Sequence, residues 1–420
     1  MRFSGTNATK PIIFMIKPFI KLLIICLAYQ STFSQVDASQ TPPNKINNTQ
    51  HGFNDSFSIR GYAQVRYNRL LETNENLGCE QCDKSWGKGG GFFIRRTRII
   101  FSGQIHKNVY FYIQPDFASS PSSDRLNFTQ LRDVYFDFGF DSENDFRLRI
   151  GQSKIPYGFE NMQSSQNRIP LDRSDAINSA ISNERDIGVF FYWAPKSKRN
   201  LFSSLTKDGL KGSGDYGIFA LGVYNGQTPN SVELNKVPHV VSRFSFPFEL
   251  KNQAIELGIQ GYTGTYVIPK SNLNIGVKTN NNLNYLDQRL AGSLVLYPKP
   301  IGIQAEYNIG NGPEFNKSTD SIEVMPLKGG YVMLCYLVKN KASVLIPFVR
   351  YQFYKGGKKH ELDARSYDVE ELEFGAEWQI NKNVELVVNY TMSRRRYEDF
   401  LLQENFQSGN LLRIQAQFSF

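Results

Sequence analysis

The 420 residues are enough for two or three ordinary soluble domains. Aromatics at 14% and 33 glycines, with abundant Asn and Ser, suit many strands joined by tight turns and argue against a helical bundle. The formal charge of +9 falls to +5 once the four bases of the first 34 residues are set aside, and no basic stripe interleaved with aromatics remains to bind nucleic acid.

Residues 1–34 read as a secretory signal peptide. Lys10, Lys17 and Lys21 precede the apolar run Leu22–Ala28, and Thr32-Phe33-Ser34 places cleavage near Gln35. The run is shorter than the ~20 apolar residues a spanning helix needs. A lipoprotein site at Cys26 is disfavoured because Ile25 stands where a small residue is expected. Residues 35–55, rich in Asn, Gln and Pro, read as a flexible leader. Beyond them no stretch approaches the length of a transmembrane helix, and mean hydropathy is −0.39. These values exclude a helical membrane protein but leave room for a β-barrel, whose strands of ~9–11 residues meet lipid only at every second position.

From residue 56 to 420 the sequence breaks into segments of period two. In the first, Phe57, Ile59, Ala63 and Val65 alternate with Arg60, Tyr62, Gln64 and Arg66. Similar segments begin near 92, 108, 131, 145, 186, 215, 240, 254, 286, 301, 330, 344, 370, 383 and 411, which predicts about 16 strands. Short turns fall at 106–107, 141–144, 249–252, 297–300, 339–341 and 381–383. Long polar connections lie at about 69–91, 118–129, 154–185, 225–239, 266–285, 310–329, 355–368 and 394–409. The Lys- and Ser-rich run 195–214 breaks this alternation, and is read as an enlarged turn in preference to a missed hairpin.

Alternating short and long connections predict an all-β, transmembrane antiparallel β-barrel with short periplasmic turns and long external loops, in contact with outer-membrane lipid of a Gram-negative bacterium. A propeller would show a recurring motif every ~40 residues, and none is present. In the last segment Leu412, Ile414, Ala416, Phe418 and Phe420 alternate with Arg413, Gln415, Gln417 and Ser419. That ending is similar to the C-terminal signal through which the barrel-assembly machinery recognises outer-membrane proteins.

No catalytic motif stands out, so a non-enzymatic protein is expected, and nothing calls for a cofactor. Cys79 and Cys82 form a C-x-x-C pair in a Gly-rich loop. Metal binding would need a second pair or nearby histidines, whereas His51, His106, His239 and His360 are scattered, so a small loop disulfide is the simpler reading. Function in the external loops, as in a surface-binding protein or adhesin, is the alternative, with Tyr397, Phe400 and Phe406 as its aromatic candidates. An outer-membrane hydrolase is a more distant one.

In a barrel the polar face of each strand meets the lumen, since Arg or Lys facing mid-bilayer lipid costs ~2–4 kcal/mol. This places Arg60, Arg66, Arg96, Arg98, Arg147 and Arg149 on the pore wall, with Arg243, Arg289, Arg350 and Arg413 further on. Arg95 neighbours Arg96 and is expected to point away from the lumen. Acids on the same face include Asp116, Asp133 and Asp137 early in the chain and Glu256, Glu306, Glu371, Glu373, Glu377 and Glu385 later. Cross-strand pairing would neutralise much of the wall.

Four segments carry a family resemblance: Gly91-Phe92-Phe93-Ile94-Arg95-Arg96-Thr97-Arg98, Val109–Phe117, Leu148–Gly158 and Glu184–Val189. They resemble the porin O/P family, the phosphate-selective porins and their relatives. The resemblance implies a 16-stranded barrel, commonly a trimer, passing small hydrophilic solutes passively, with anions such as phosphate among them. It further implies that the third external loop folds into the pore, making Lys154, Arg168 and Arg173 candidate constriction residues.

Overall fold

The computed structural model describes residues 57–71, 91–118, 128–340 and 343–420, with only the backbone of Leu70 and Leu71. The expected signal peptide 1–34, the leader 35–55 and the loop bearing Cys79 and Cys82 lie outside the described residues.

Sixteen antiparallel strands close on themselves. They are β1 (Phe57–Leu71), β2 (Gly91–His106), β3 (Val109–Asp116), β4 (Gln130–Gly139), β5 (Phe146–Lys154), β6 (Arg185–Trp193), β7 (Phe219–Tyr224) and β8 (His239–Leu250). The second half comprises β9 (Gln253–Val267), β10 (Asn284–Leu296), β11 (Ile301–Asn316), β12 (Ser321–Tyr336), β13 (Val344–Gly357), β14 (Ser366–Asn381), β15 (Val384–Glu398) and β16 (Phe406–Ser419). Beyond Leu337, β12 resumes for two residues, Val338–Lys339, still paired with β13. Each strand pairs with its neighbours in sequence, and β1 pairs with both β2 and β16.

The faces follow the period-two pattern in inverted form, apolar outside and polar inside. In β1 Tyr62, Gln64, Arg66 and Asn68 are buried within the barrel while Ile59 and Val65 are exposed. In β16 Arg413, Gln415 and Gln417 are buried while Ile414 and Phe418 are exposed. Phe146, Trp193, Phe246 and Trp378 stand exposed toward the strand ends at the short turns, where aromatic side chains bridge lipid and water.

Three expectations need correction. Arg95 does not point away: Gln64 pairs with Arg96 and Val65 with Ile94, so Arg95 is the extra residue of a β-bulge. The bulge flips the alternation, and Arg95 reaches within 3.7 Å of the lumenal Asp172. The segment expected as the long loop 310–329 is instead a tall hairpin, in register from Ile301↔Tyr336 to Asn316↔Ser321. Likewise 355–368 and 394–409 shrink to 358–365 and 399–405. Strands that project past the lipid lose their apolar face and read as loops, although their backbones still pair. The run 195–214 is indeed an enlarged turn, 194–218, holding a helix, α3 (Lys196–Lys207), with Phe202 and Leu205 buried; it follows α1 (Phe159–Met162) and α2 (Asp175–Asn178) of the third external loop.

Barrel closure depends on Gly61. Its N–H donates to the Phe420 carbonyl and its carbonyl accepts from the Phe420 N–H, both at 2.9 Å. A Cβ there would stand 2.6 Å from the Arg98 backbone oxygen and 2.5 Å from the Phe420 ring. Gly61→Val should therefore force the seam apart at about 1–3 kcal/mol. The check is a lower temperature for loss of the compact, heat-modifiable gel band; an unchanged temperature refutes it.

Candidate functional site

Residues 155–184, the third external loop, fold into the barrel and carry two short helices, α1 (Phe159–Met162) and α2 (Asp175–Asn178). Hydrogen bonds from every side of the wall hold the loop. Tyr157 Oη donates to Asn308 Oδ1 at 2.6 Å. The N–H groups of Phe159 and Glu160 donate to the Glu306 carboxylate at 2.5 and 2.8 Å, and that carboxylate also accepts from Tyr331 Oη. Ser165 Oγ lies 2.7 Å from Tyr62 Oη, across the barrel from these contacts.

Three loop carboxylates carry the ionic anchors. Asp172 accepts from Arg66 at 3.1 Å and from Arg413, with Arg95 nearby. Asp175 accepts from Arg395 at 2.7 Å and from Lys358 at 2.5 Å. Glu160 accepts from Arg350 at 2.7 Å, and Arg350 also grips Glu373. Burial alone would raise the carboxyls of Asp172 and Asp175. Arg66 and Arg413 in one case, and Arg395 and Lys358 in the other, outweigh it and hold both well below the usual carboxylate range.

Each residue singled out from the sequence has a definite place. Arg60 is partly buried and donates to Ser102 Oγ at 3.0 Å. Arg96 donates to Gln64 at 2.9 Å, and Arg98 pairs with Asp116 at 2.7 Å. Arg147 pairs with Asp215 at 2.8 Å and Arg149 with Asp137 at 2.7 Å. Lys154 donates to the carbonyls of Met162 and Gln163. Arg168 donates to the carbonyls of Pro170 and Leu171, and its Nη1 has no partner among the described residues. Arg173 pairs with Glu184 at 2.8 Å. Burial, reinforced by Arg173, pushes the Arg168 guanidinium below its ordinary value.

Six of these residues fall into two groups. Arg66, Arg96, Arg98 and Arg168 gather around the tip of the loop, where Arg96 faces the charges of Arg95, Arg98, Arg168 and Arg66. Arg147 and Arg149 sit apart, beside a cavity of about 300 Å³ near the periplasmic turns. There the Arg149 guanidinium lies 3.8 Å from the Tyr135 ring centroid, with Tyr192 and Tyr216 at 5.1 and 5.5 Å.

Sequence reasoning did not find Lys358, Arg395, Arg132 or Arg185. Arg395 lies within Arg394-Arg395-Arg396, where three like residues hide which one faces inward. Lys358 belongs to a loop, where no periodicity applies.

Among known proteins, the phosphate-selective porin O and P family matches residues 78–420. No curated protein sequence matches the chain. Among solved structures, the outer membrane channel DcaP of Acinetobacter baumannii superposes with a TM-score of 0.55 at 14% identity, over 87% of this chain and 97% of that one. OmpF of Salmonella typhi, in complex with daunomycin, gives a TM-score of 0.55 at 13% identity over 88% and 99%. The trimer form of Vibrio cholerae OmpT gives 0.50 at 11% over 87% and 99%. At these identities the superpositions speak for the closed barrel alone, while the family match speaks for the sequence. The chain belongs to the phosphate-selective porin O and P family, and works as a passive diffusion channel in the outer membrane of a Gram-negative bacterium.

Proposed function

We propose that this channel favours small anions, phosphate among them, drawn along the basic side of the lumen past the third external loop. One observation carries the reading. Among the described residues, Arg96, Arg132, Lys154 and Arg168 are buried, lie around that loop, and have no carboxylate within 4.0 Å. Other lumenal cations pair: Arg98 with Asp116, Arg149 with Asp137, Arg185 with Asp133, Arg243 with Glu256. A confined cation without a counter-ion attracts a diffusing anion, and guanidinium groups replace part of a phosphate's hydration shell with charge-assisted hydrogen bonds.

The same reading makes the protein a channel without catalytic activity. It forms a homotrimer embedded in outer-membrane lipid, assembled by the barrel-assembly machinery through the strand ending in Phe420. Residues 1–34 are removed on export. The trimer form of the OmpT relative and the family resemblance support the oligomer.

Reversal potentials across a KCl gradient in planar bilayers test the anion preference. We expect chloride to permeate faster than potassium, and millimolar phosphate to reduce the chloride current. Arg96→Gln combined with Arg168→Gln should lower the anion-to-cation permeability ratio several-fold with little change in conductance. A cation-selective wild-type pore overturns the reading.

A further inference from the structure

The periplasmic turn 194–218 is unlike its neighbours. The turns 107–108, 140–145, 251–252, 297–300 and 382–383 are short and carry no helix. This one docks α3 on the rim, where Arg199 donates to the carbonyls of Glu143 and Asn144 and Lys198 to that of Pro247. It then re-enters the barrel. Leu205 and Leu210 are buried in one cluster with Met333, Ile346 and Phe348, inward-facing residues of β12 and β13, and with Phe159 of the third external loop.

That cluster is out of place in a water-filled pore. The inner face of a porin wall is polar because water wets it. Here the inward-facing Ala254, Val295, Met333, Ile346 and Phe348 form an apolar patch that the turn covers, beside the buried Glu256 and Gln304. The sequence that brings the turn in is Asp208-Gly209-Leu210-Lys211-Gly212-Ser213-Gly214. Gly209, Lys211 and Gly214 all have left-handed backbone angles, φ 71°, 69° and 97°. Such an angle is unfavourable for lysine, and persists only where surrounding contacts over-determine it. Two contacts do so. The Lys211 ammonium binds Glu377 on β14, and its carbonyl accepts from Gln163 Nε2 of the external loop at 2.6 Å. A loop from outside and a turn from the periplasm thus meet inside the barrel.

We infer that this turn is a second constriction of the channel. By filling the lumen beside the apolar patch it sets the upper size of passing solutes, and it confines the path to the Tyr- and Arg-lined side formed by β2–β6. The inference concerns pore size and is independent of the sign of the preferred ion, so reversal potential and conductance read the two proposals separately.

The test is excision of 197–213 in the full chain, bridged by Gly-Ser-Gly. Single-channel conductance in KCl is measured together with liposome swelling on mono-, di- and trisaccharides. We expect conductance to rise at least twofold and the swelling cutoff to move to a larger sugar. A second variant, Leu210→Glu with Gln163→Ala, keeps the length but detaches the turn from its wall and from the loop. It should show frequent conductance steps above the wild-type level, and it decides the question if the excised protein does not fold. A folded excision variant with wild-type conductance and cutoff overturns the inference. So does a folded detachment variant with wild-type traces.

Discussion

Asp172→Asn is expected to release the third external loop from the wall and to make the pore more anion-selective. Three guanidiniums, from Arg66, Arg95 and Arg413, converge on this one carboxylate. The substitution keeps the size of the side chain and removes its charge. Two buried arginines and a third at the edge then lose the carboxylate they share, although Arg413 keeps Glu373 at 3.8 Å. Breaking one member of a buried ion pair costs about 3–5 kcal/mol, because the charge left behind stays desolvated.

The barrel itself should survive, since its strand ladders do not involve Asp172. Arg66 also keeps Gln415 Oε1, at 2.8 and 3.1 Å, so that part of the wall stays ordered. The loop is the element that yields, because of its three ionic anchors it loses the one that meets the most cations. Trypsin digestion of protein in detergent should open cleavage at Arg168 or Arg173, sites protected in the wild type. The anion-to-cation permeability ratio should rise, since one negative charge is lost beside Arg66, Arg95 and Arg413. An unchanged digestion pattern together with an unchanged ratio refutes the anchoring role.

How much of this was legible beforehand differs between wall and loop. The inward positions of Tyr62, Gln64, Arg66, Arg413 and Gln415 follow from strict alternation, because strand geometry repeats every two residues. Alternation fails at Arg95, where a bulge shifts its phase, and sequence carries no marker for that bulge. It fails also at 310–316 and 321–329, where strands continue beyond the lipid without an apolar face. The anchors of the third loop were beyond reach for a different reason. Asp172 and Arg66 are 106 residues apart, and Asp175 and Arg395 are 220 apart. No local pattern relates such residues; only barrel closure brings them together. Lys154, Arg168 and Arg173 entered through a family resemblance, which named the loop's cations but not the carboxylates that fix it.

Lowering the pH from 7 to 5 is expected to loosen the external cover of the barrel while leaving the carboxylate anchors intact. The seventh external loop, 358–365, ties the others together. Asp363 accepts from the N–H and Nδ2 of Asn274 in the fifth loop and from the N–H of Phe400 in the eighth. Arg365 pairs with Asp399 at 2.7 Å. His360 joins the third loop, its Nε2 accepting from the Ser182 N–H at 3.3 Å while Nδ1 faces Tyr266 Oη at 3.3 Å. These contacts require a neutral ring with an unprotonated Nε2. Burial and the neighbouring Lys359, with Arg289 beyond it, hold the imidazole well below its ordinary value of 6.5, against the opposing pull of Asp287.

A histidine depressed in the folded state binds fewer protons there than in the released loop. Its contribution is complete above pH ~6.5 and falls by up to about 1.4 kcal/mol per pH unit below that, until the folded value is reached. Asp172 and Asp175 are depressed carboxyls, so their contribution is complete above ~3.9 and fails only in stronger acid. The two windows do not overlap at pH 5. Amide hydrogen exchange, corrected for its intrinsic pH dependence, should therefore accelerate up to tenfold per pH unit at 180–184 and 358–365, and not at 172–176. His360→Gln cannot titrate, and should abolish the pH dependence while keeping a side chain able to bond Ser182. Equal acceleration in that variant would assign the effect to another group.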